Sequence, residues 1–139
     1  MMRSMILKNI TSAIIPDYII AILQIIDQNG YNGFIVGGAL RDIALGQLPI
    51  EYDIATNALP EDIIRIFDKT IPTGIKFGTI TVLIQNHSVE ITTFRKEADY
   101  NDFRHPSQVS FSQSIHDDLM RRDFTINAFA YNPINGQFI

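Results

Sequence analysis

The chain has 139 residues, 46% of them apolar and 19% charged, which suits one globular domain and excludes a disordered or fibrous protein. It has no cysteine, so disulfides and thiolate metal sites are excluded and any metal must be held by oxygen or imidazole. The net charge of −4 lacks the basic excess of domains that grip nucleic acid by its phosphates. Without a signal peptide or a membrane-length apolar run, we predict a cytoplasmic location and no membrane partner.

The N-terminal part of the chain is predicted to hold an arm and one packing helix. Residues 1–12 have no clear period and are predicted to be loosely attached, as part of an N-terminal arm over residues 1–15. Pro16 and Asp17 favour the start of a helix, because proline suits the first turn and an acid suits the positive end of the helix dipole. Apolar residues then recur at helical spacing until Gly30, which is a typical stop signal.

A short buried strand, Phe34 to Val36, runs directly into Gly37 and Gly38, and a helical pattern resumes from Ala39 to Leu45. A strand that enters a helix through glycines lets backbone N–H groups approach a phosphate closely. A glycine pair of this kind is also common in ordinary tight turns. The residues alone therefore leave both interpretations open.

The second predicted strand, from Ile50 to Ala55, places Glu51 and Asp53 on the same face, because side chains alternate along a strand. Two neighbouring carboxylates repel each other, and a divalent cation would relieve that repulsion. An exposed sheet edge without a metal explains the same pattern.

Further along, a helix is predicted from Pro60, a loop over residues 72–79, and a hairpin with strands Thr79–Ile84 and Ser88–Arg95. Glu90 alternates with apolar neighbours in the outgoing strand and points away from the apolar face. His87, at the hairpin tip, is interpreted as a solvated residue.

The last third of the chain begins with a long polar loop over residues 96–112 that contains Arg104. A helix is predicted after Ser114, followed by a conspicuous Arg-Arg-Asp group at 121–123 and a turn at Asn135 into a final strand. The order of these elements predicts an α+β fold, with a mixed sheet covered by helices on one side.

Four motifs occur in a specific order: Gly-Gly-x-x-Arg-Asp at 37–42, acid-x-Asp-Ile-Ala-Thr at 51–56, Glu-Ile-Thr-Thr-Phe at 90–94, and Arg-Arg-Asp-Phe-Thr-Ile-Asn-Ala at 121–128. Together they resemble the head domain of class II tRNA nucleotidyltransferases, the CCA-adding enzymes and bacterial poly(A) polymerases. The resemblance covers residues 16–139. It implies a polymerase β-like head with a mixed, mostly antiparallel sheet and helices packed on one face, without the neck, body and tail domains of that family.

The resemblance also implies roles for individual residues. Three carboxylates would hold two catalytic Mg²⁺ ions: Glu51, Asp53 and Glu90. The family usually has aspartate at the first of these positions. The nucleotide would be contacted by Gly37, Gly38, Arg41, Arg122, Asp123 and Asn127, and Arg104 lies in what resembles the flexible loop of the family.

The implied activity is metal-dependent transfer of a nucleotide from CTP or ATP to an RNA 3′ hydroxyl, with tRNA as the acceptor. The chain would be either one subunit of a split enzyme, with a second chain supplying the missing domains, or a fragment of a longer protein. The alternatives are a poly(A) polymerase head, transfer to another acceptor, and a nucleotide-binding module that no longer catalyses. All metal-dependent alternatives require Glu90 to lie within about 10 Å of Asp53, since paired catalytic metals are only about 4 Å apart.

Overall fold

The computed structural model describes residues 8–11, 13–96, 110–120 and 129–139. In these ranges the α-helices are α1 (Asp17–Gln28), α2 (Gly37–Ala44), α3 (Pro60–Ile66) and α4 (Ile115–Met120). The strands are β1 (Gly33–Val36), β2 (Asp53–Thr56), β3 (Thr70–Gly74), β4 (Thr79–Ile84), β5 (His87–Thr93), β6 (Arg95–Lys96), β7 (Ser110–Phe111), β8 (Ala130–Asn132) and β9 (Gln137–Phe138). A helical turn at residues 8–11 and a 3₁₀ turn at Ile75–Phe77 complete the described elements.

Seven of the strands form one sheet in the order β3-β4-β5-β2-β1-β8-β9, and β6 pairs separately with β7. Among the described strands only β2 and β5 pair in parallel, and the other pairs are antiparallel. Because β2 and β5 run side by side at the centre, their polar residues meet there. The predicted α+β fold with a mixed, mostly antiparallel sheet is confirmed.

The main core lies on one face of the sheet, under α1, α2 and α3. Its helical and strand members are mostly isoleucines and leucines that are almost fully buried: Ile19, Ile22, Leu23, Ile26, Leu40, Ile43 and Ile63 from the helices, and Ile35, Ile54, Ile80 and Ile91 from the strands. Each such side chain contributes about 1.5–3 kcal/mol by leaving water. The predicted packing of helices on one face is confirmed for these three helices.

A smaller apolar cluster lies on the opposite face, since the strand residues that form it alternate with those of the main core. It joins strand residues Phe34, Val36 and Ala55 to Ile115 and Leu119 of α4. The fourth helix therefore covers part of the second face. The rest of that face, over β5 and β4, carries polar side chains.

Several predicted element boundaries are wrong. Lys96, Ser110 and Phe111, predicted as loop, lie in β6 and β7. β2 begins at Asp53 rather than at Ile50, and the side chain of Ile50 is 93% exposed, so it contributes nothing to a sheet face. Residues 72–74, predicted as loop, form the end of β3. As an edge strand with mostly exposed residues, β3 is held by backbone pairing with β4 and needs no apolar alternation.

The N-terminal segment is more tightly attached than predicted. Ile10 is only 1% exposed and belongs to the main core, and the Asn9 side-chain Nδ2 donates a 2.7 Å hydrogen bond to the carbonyl oxygen of Ala44. Loose attachment is therefore wrong for residues 8–11, while the division of the chain into an arm (1–15) and a head (16–139) stays a prediction. In the described part of the chain, no helix is both long and apolar enough to cross a membrane.

Candidate active site

The site is centred on a row of residues that crosses four neighbouring strands. Asp53, the first residue of β2, is the register partner of Glu90 in β5, and it also pairs with Val36 at the end of β1. Glu90 in turn pairs with Thr81 of β4. Register partners share a face and neighbouring strands lie about 4.8 Å apart, so the two carboxylates are well within the 10 Å that a shared metal site requires.

Glu51 joins this pair from outside the strand. It lies in a bend two residues before β2, so its position does not come from strand alternation as predicted. It nevertheless lines the same cleft of about 480 Å³ as Asp53 and Glu90. All three residues are exposed to solvent. The structure thus brings the three predicted carboxylates to one opening, with two of them in direct register.

The chemistry of these carboxylates fits magnesium. Within the described residues, no group of three or more His, Cys, Asp or Glu side chains is arranged to hold a metal ion by itself. Mg²⁺ in nucleotide-dependent enzymes is commonly bound by one or two carboxylates and completes its shell with water and substrate phosphates. A pair of carboxylates in register, with a third in the same cleft, matches that pattern.

The glycine pair lies directly beside Asp53. Gly37 has a φ of +69°, and a Cβ atom added to it would lie 3.3 Å from Asp53 Oδ2. A Cβ added to Gly38 would meet Arg41 Nη2 at 3.6 Å. Both glycines belong to the first turn of α2, where backbone N–H groups lack partners within the helix. An anionic group next to Asp53 could therefore approach this backbone closely.

Arg41 projects from the last turn of α2, and its side chain is 52% exposed. Its Nε lies 3.7 Å from Asp42 Oδ1, which is an exposed ion pair. Pairs of this kind are worth about 0–1 kcal/mol, so this one competes weakly with a phosphate. The other predicted nucleotide contacts, Arg122, Asp123 and Asn127, and the predicted loop residue Arg104 lie outside the described residues.

The sequence did not point to the aromatic side of the cleft. The imidazole of His87 is stacked on the ring of Tyr18, with centroids 3.8 Å apart and planes 8° apart. Tyr18 also meets Tyr52 edge-on at 6.3 Å, and all three residues line the cleft. His87 is exposed, as predicted, but it belongs to β5 rather than to the hairpin tip. The feature that indicates this strand start is the two-residue turn Gln85–Asn86, which has positive φ at both positions.

Tyr52 gives a prediction about pH. Burial raises the pKa of the Tyr52 phenol above its ordinary 10.0, and the neighbouring Tyr18 raises it further. The folded protein then holds this proton more tightly than the unfolded chain, so the associated stability is complete below pH 10 and is lost as the pH rises through the folded pKa. In a titration of phenolate absorbance, Tyr52→Phe should remove the transition of the phenol that ionises at the highest pH. Tyr31→Phe should leave that transition in place. Loss of the late transition in the Tyr31 variant alone would contradict this assignment.

Comparison with known proteins agrees with this geometry. The model of the poly A polymerase head domain family matches residues 33–139. The CCA-adding enzyme of Lactobacillus johnsonii is 51% identical over 118 residues, which cover 85% of this chain and 29% of that protein. The CCA-adding enzyme of Geobacillus stearothermophilus is 49% identical over 111 residues, covering 80% of this chain and 28% of its own length. The chain thus spans less than a third of these relatives.

Solved structures give the same result. The crystal structure of the Bacillus stearothermophilus CCA-adding enzyme in complex with CTP superposes with a TM-score of 0.75 at 43% identity, over 88% of this chain and 28% of that one. A tRNA nucleotidyltransferase complexed with a primer tRNA and an incoming ATP analog superposes with a TM-score of 0.61 at 30% identity, over 85% of this chain and 33% of that one. The chain therefore belongs to the poly A polymerase head domain family.

Proposed function

We propose that this chain is the nucleotide-transferring head of a CCA-adding enzyme, which moves a nucleotidyl group from CTP or ATP to the 3′ hydroxyl of a tRNA. The observation that carries the proposal is the register pairing of Asp53 with Glu90, together with the approach of Gly37 to the Asp53 carboxylate. These contacts support the proposal, because they bring carboxylates that would bind metal next to backbone that would bind phosphate. The similarity to CCA-adding enzymes supports the choice of substrates.

In the proposed reaction, the 3′ oxygen of the RNA forms a bond to the α-phosphorus, and the bond from that phosphorus to the bridging oxygen breaks. Pyrophosphate leaves, and the hydroxyl proton passes to solvent. Bound Mg²⁺ would neutralise phosphate charge and make the hydroxyl easier to deprotonate. Glu51, Asp53 and Glu90 would hold two such ions.

The residues of α2 would act on the other end of the nucleotide. The backbone N–H groups of Gly37 and Gly38 and the guanidinium of Arg41 would bind the triphosphate and stabilise the departing pyrophosphate. From outside the described residues, Arg122, Asp123 and Asn127 would add contacts to the nucleotide and its ribose. Arg104 would contribute from the loop that resembles the flexible loop of the family.

Holding the tRNA would fall mainly to other domains. The chain carries a net charge of −4, which does not favour binding to a polyanion. The CCA-adding enzymes it matches are nearly three times as long. Neck, body and tail domains, joined to this head or supplied by a second chain, would therefore select between CTP and ATP and bind the acceptor.

The test is incorporation of labelled CTP or ATP into tRNA that lacks its terminal CCA, in the presence of Mg²⁺. The head is assayed alone and together with the remaining domains. We expect incorporation in the complete system and little with the head alone. No incorporation in either would overturn the proposal, whereas repeated addition of AMP to any RNA would instead support a poly(A) polymerase head.

A nucleotide-binding module without transferase activity is the second candidate. It is favoured by the position of Glu51 outside β2 and by the absence, in the described ranges, of three carboxylates arranged to hold a metal by themselves. Calorimetry separates the two candidates. Mg²⁺-dependent binding of CTP without incorporation in the complete system would favour the module.

A further inference from the structure

The stacked pair of Tyr18 and His87 is built as a supported aromatic surface. Tyr18, in the first turn of α1, is half-buried, packs against the main core and meets the buried Tyr52 edge-on. His87 lies flat on Tyr18 and is exposed. One ring is thus anchored to the core, while the other presents a flat surface to the cleft that holds Glu51, Asp53 and Glu90.

This surface and the glycine turn lie on different sides of Asp53 in the row of strands. His87 shares the helix-covered face with Val89 and Ile91, whereas Glu90 points to the other face, and the cleft at the strand ends joins the two. Asp53 has β1 on one side and β5 on the other. The glycine turn follows β1, whereas His87 begins β5, three residues before Glu90. In a phosphoryl transfer the attacking and leaving oxygens lie roughly in line on opposite sides of the phosphorus. If pyrophosphate leaves at the glycine turn, the attacking hydroxyl enters from the β5 side.

We propose that Tyr18 and His87 form a stacking platform for the terminal base at the 3′ end of the acceptor RNA. This inference rests on the proposed function, because it takes the glycine turn as the triphosphate side. Stacking on an aromatic ring accepts any base, since every base has a π-face. A platform of this kind would hold the acceptor end near the carboxylates whatever its last base is.

A nucleobase could also reach the platform from the incoming nucleotide, so the test has two arms. In one arm the head, together with the remaining domains, binds a short RNA whose 3′-terminal base is 2-aminopurine, which loses fluorescence when it stacks. In the other it binds 2-aminopurine ribonucleoside triphosphate with Mg²⁺. We expect His87→Ala to weaken binding in the RNA arm at least about fivefold, the lower limit for one lost stack, and to leave the triphosphate arm unchanged.

Three comparisons make the result specific. His87→Phe keeps a flat ring and should restore RNA binding. His116 is an exposed histidine of α4 that does not line the cleft, so His116→Ala should leave RNA binding unchanged. Thermal unfolding of each variant separates lost stacking from lost folding.

The inference is overturned if the wild-type chain does not quench the fluorescence of the RNA probe, or if His87→Ala binds that RNA as tightly as the wild type. It is also overturned if His87→Phe fails to restore RNA binding, or if His87→Ala weakens binding of the triphosphate. Failure of the proposed function looks different, because the complete system would then incorporate no nucleotide into tRNA, with or without triphosphate binding. Intact incorporation without any effect of His87 on the RNA arm overturns the platform alone.

Discussion

Replacing Asp53 by asparagine is expected to lower nucleotide transfer more than about a hundredfold in the complete system. Asp53 is the central member of the row, in register with Glu90 and in contact range of the glycine turn. Asparagine keeps the shape but removes the negative charge. Loss of a residue that merely supports a metal ligand costs about 10–100-fold, so loss of Asp53, which we propose as a ligand itself, should cost more.

The same substitution should remove the Mg²⁺ dependence of CTP binding, which calorimetry can follow with and without the ion. The matched control is Glu61→Gln, which neutralises an exposed acid in the first turn of α3. That variant should transfer nucleotides at the wild-type rate. Undiminished transfer by Asp53→Asn would mean that this carboxylate holds no catalytic ion.

Much of the central sheet could be predicted because the spacing of its apolar residues indicates which side chains are buried. Isoleucines at helical spacing after Asp17 predicted α1, and alternating apolar residues around Glu90 predicted a strand in the β4–β5 hairpin. The strand bounds were wrong, because β5 spans His87–Thr93 and the turn before it holds only Gln85 and Asn86. β3 was not predicted as a strand, because an exposed edge strand carries no alternating apolar pattern. Its existence depends on hydrogen bonds to β4, which only the folded sheet supplies.

The site was predictable to the same extent. Alternation correctly directed Glu90 away from the core, and the parallel pairing then placed it beside Asp53. The motif order identified Glu51, but strand geometry gave the wrong reason, since this residue precedes β2. The stack of His87 on Tyr18 joins elements that are distant in the chain. No local pattern encodes such a contact, because it arises from the packing of α1 against the sheet.

Replacing Gly37 by alanine is expected to damage both stability and the site. The φ of +69° is a left-handed conformation that costs an L-residue about 1–2 kcal/mol, so the free energy of unfolding should fall by that amount. The new Cβ would also lie 3.3 Å from Asp53 Oδ2, which is tighter than ordinary contact and pushes the carboxylate away. A misplacement of 1 Å can cost about a hundredfold in rate, so a shift of part of that distance should lower transfer about tenfold.

Gly38→Ala is the matched control for this effect, because it adds the same methyl group one residue later. Gly38 has no positive φ, and its nearest contact would be the flexible end of Arg41 at 3.6 Å. Alanine is favoured over glycine inside a helix by up to about 1 kcal/mol, so this variant should be as stable as the parent or more so. Denaturant unfolding of both variants tests the difference. Equal free energies of unfolding for Gly37→Ala and Gly38→Ala would show that the left-handed turn beside Asp53 does not require glycine. The proposed close contact between this turn and the Asp53 carboxylate would then have to be abandoned.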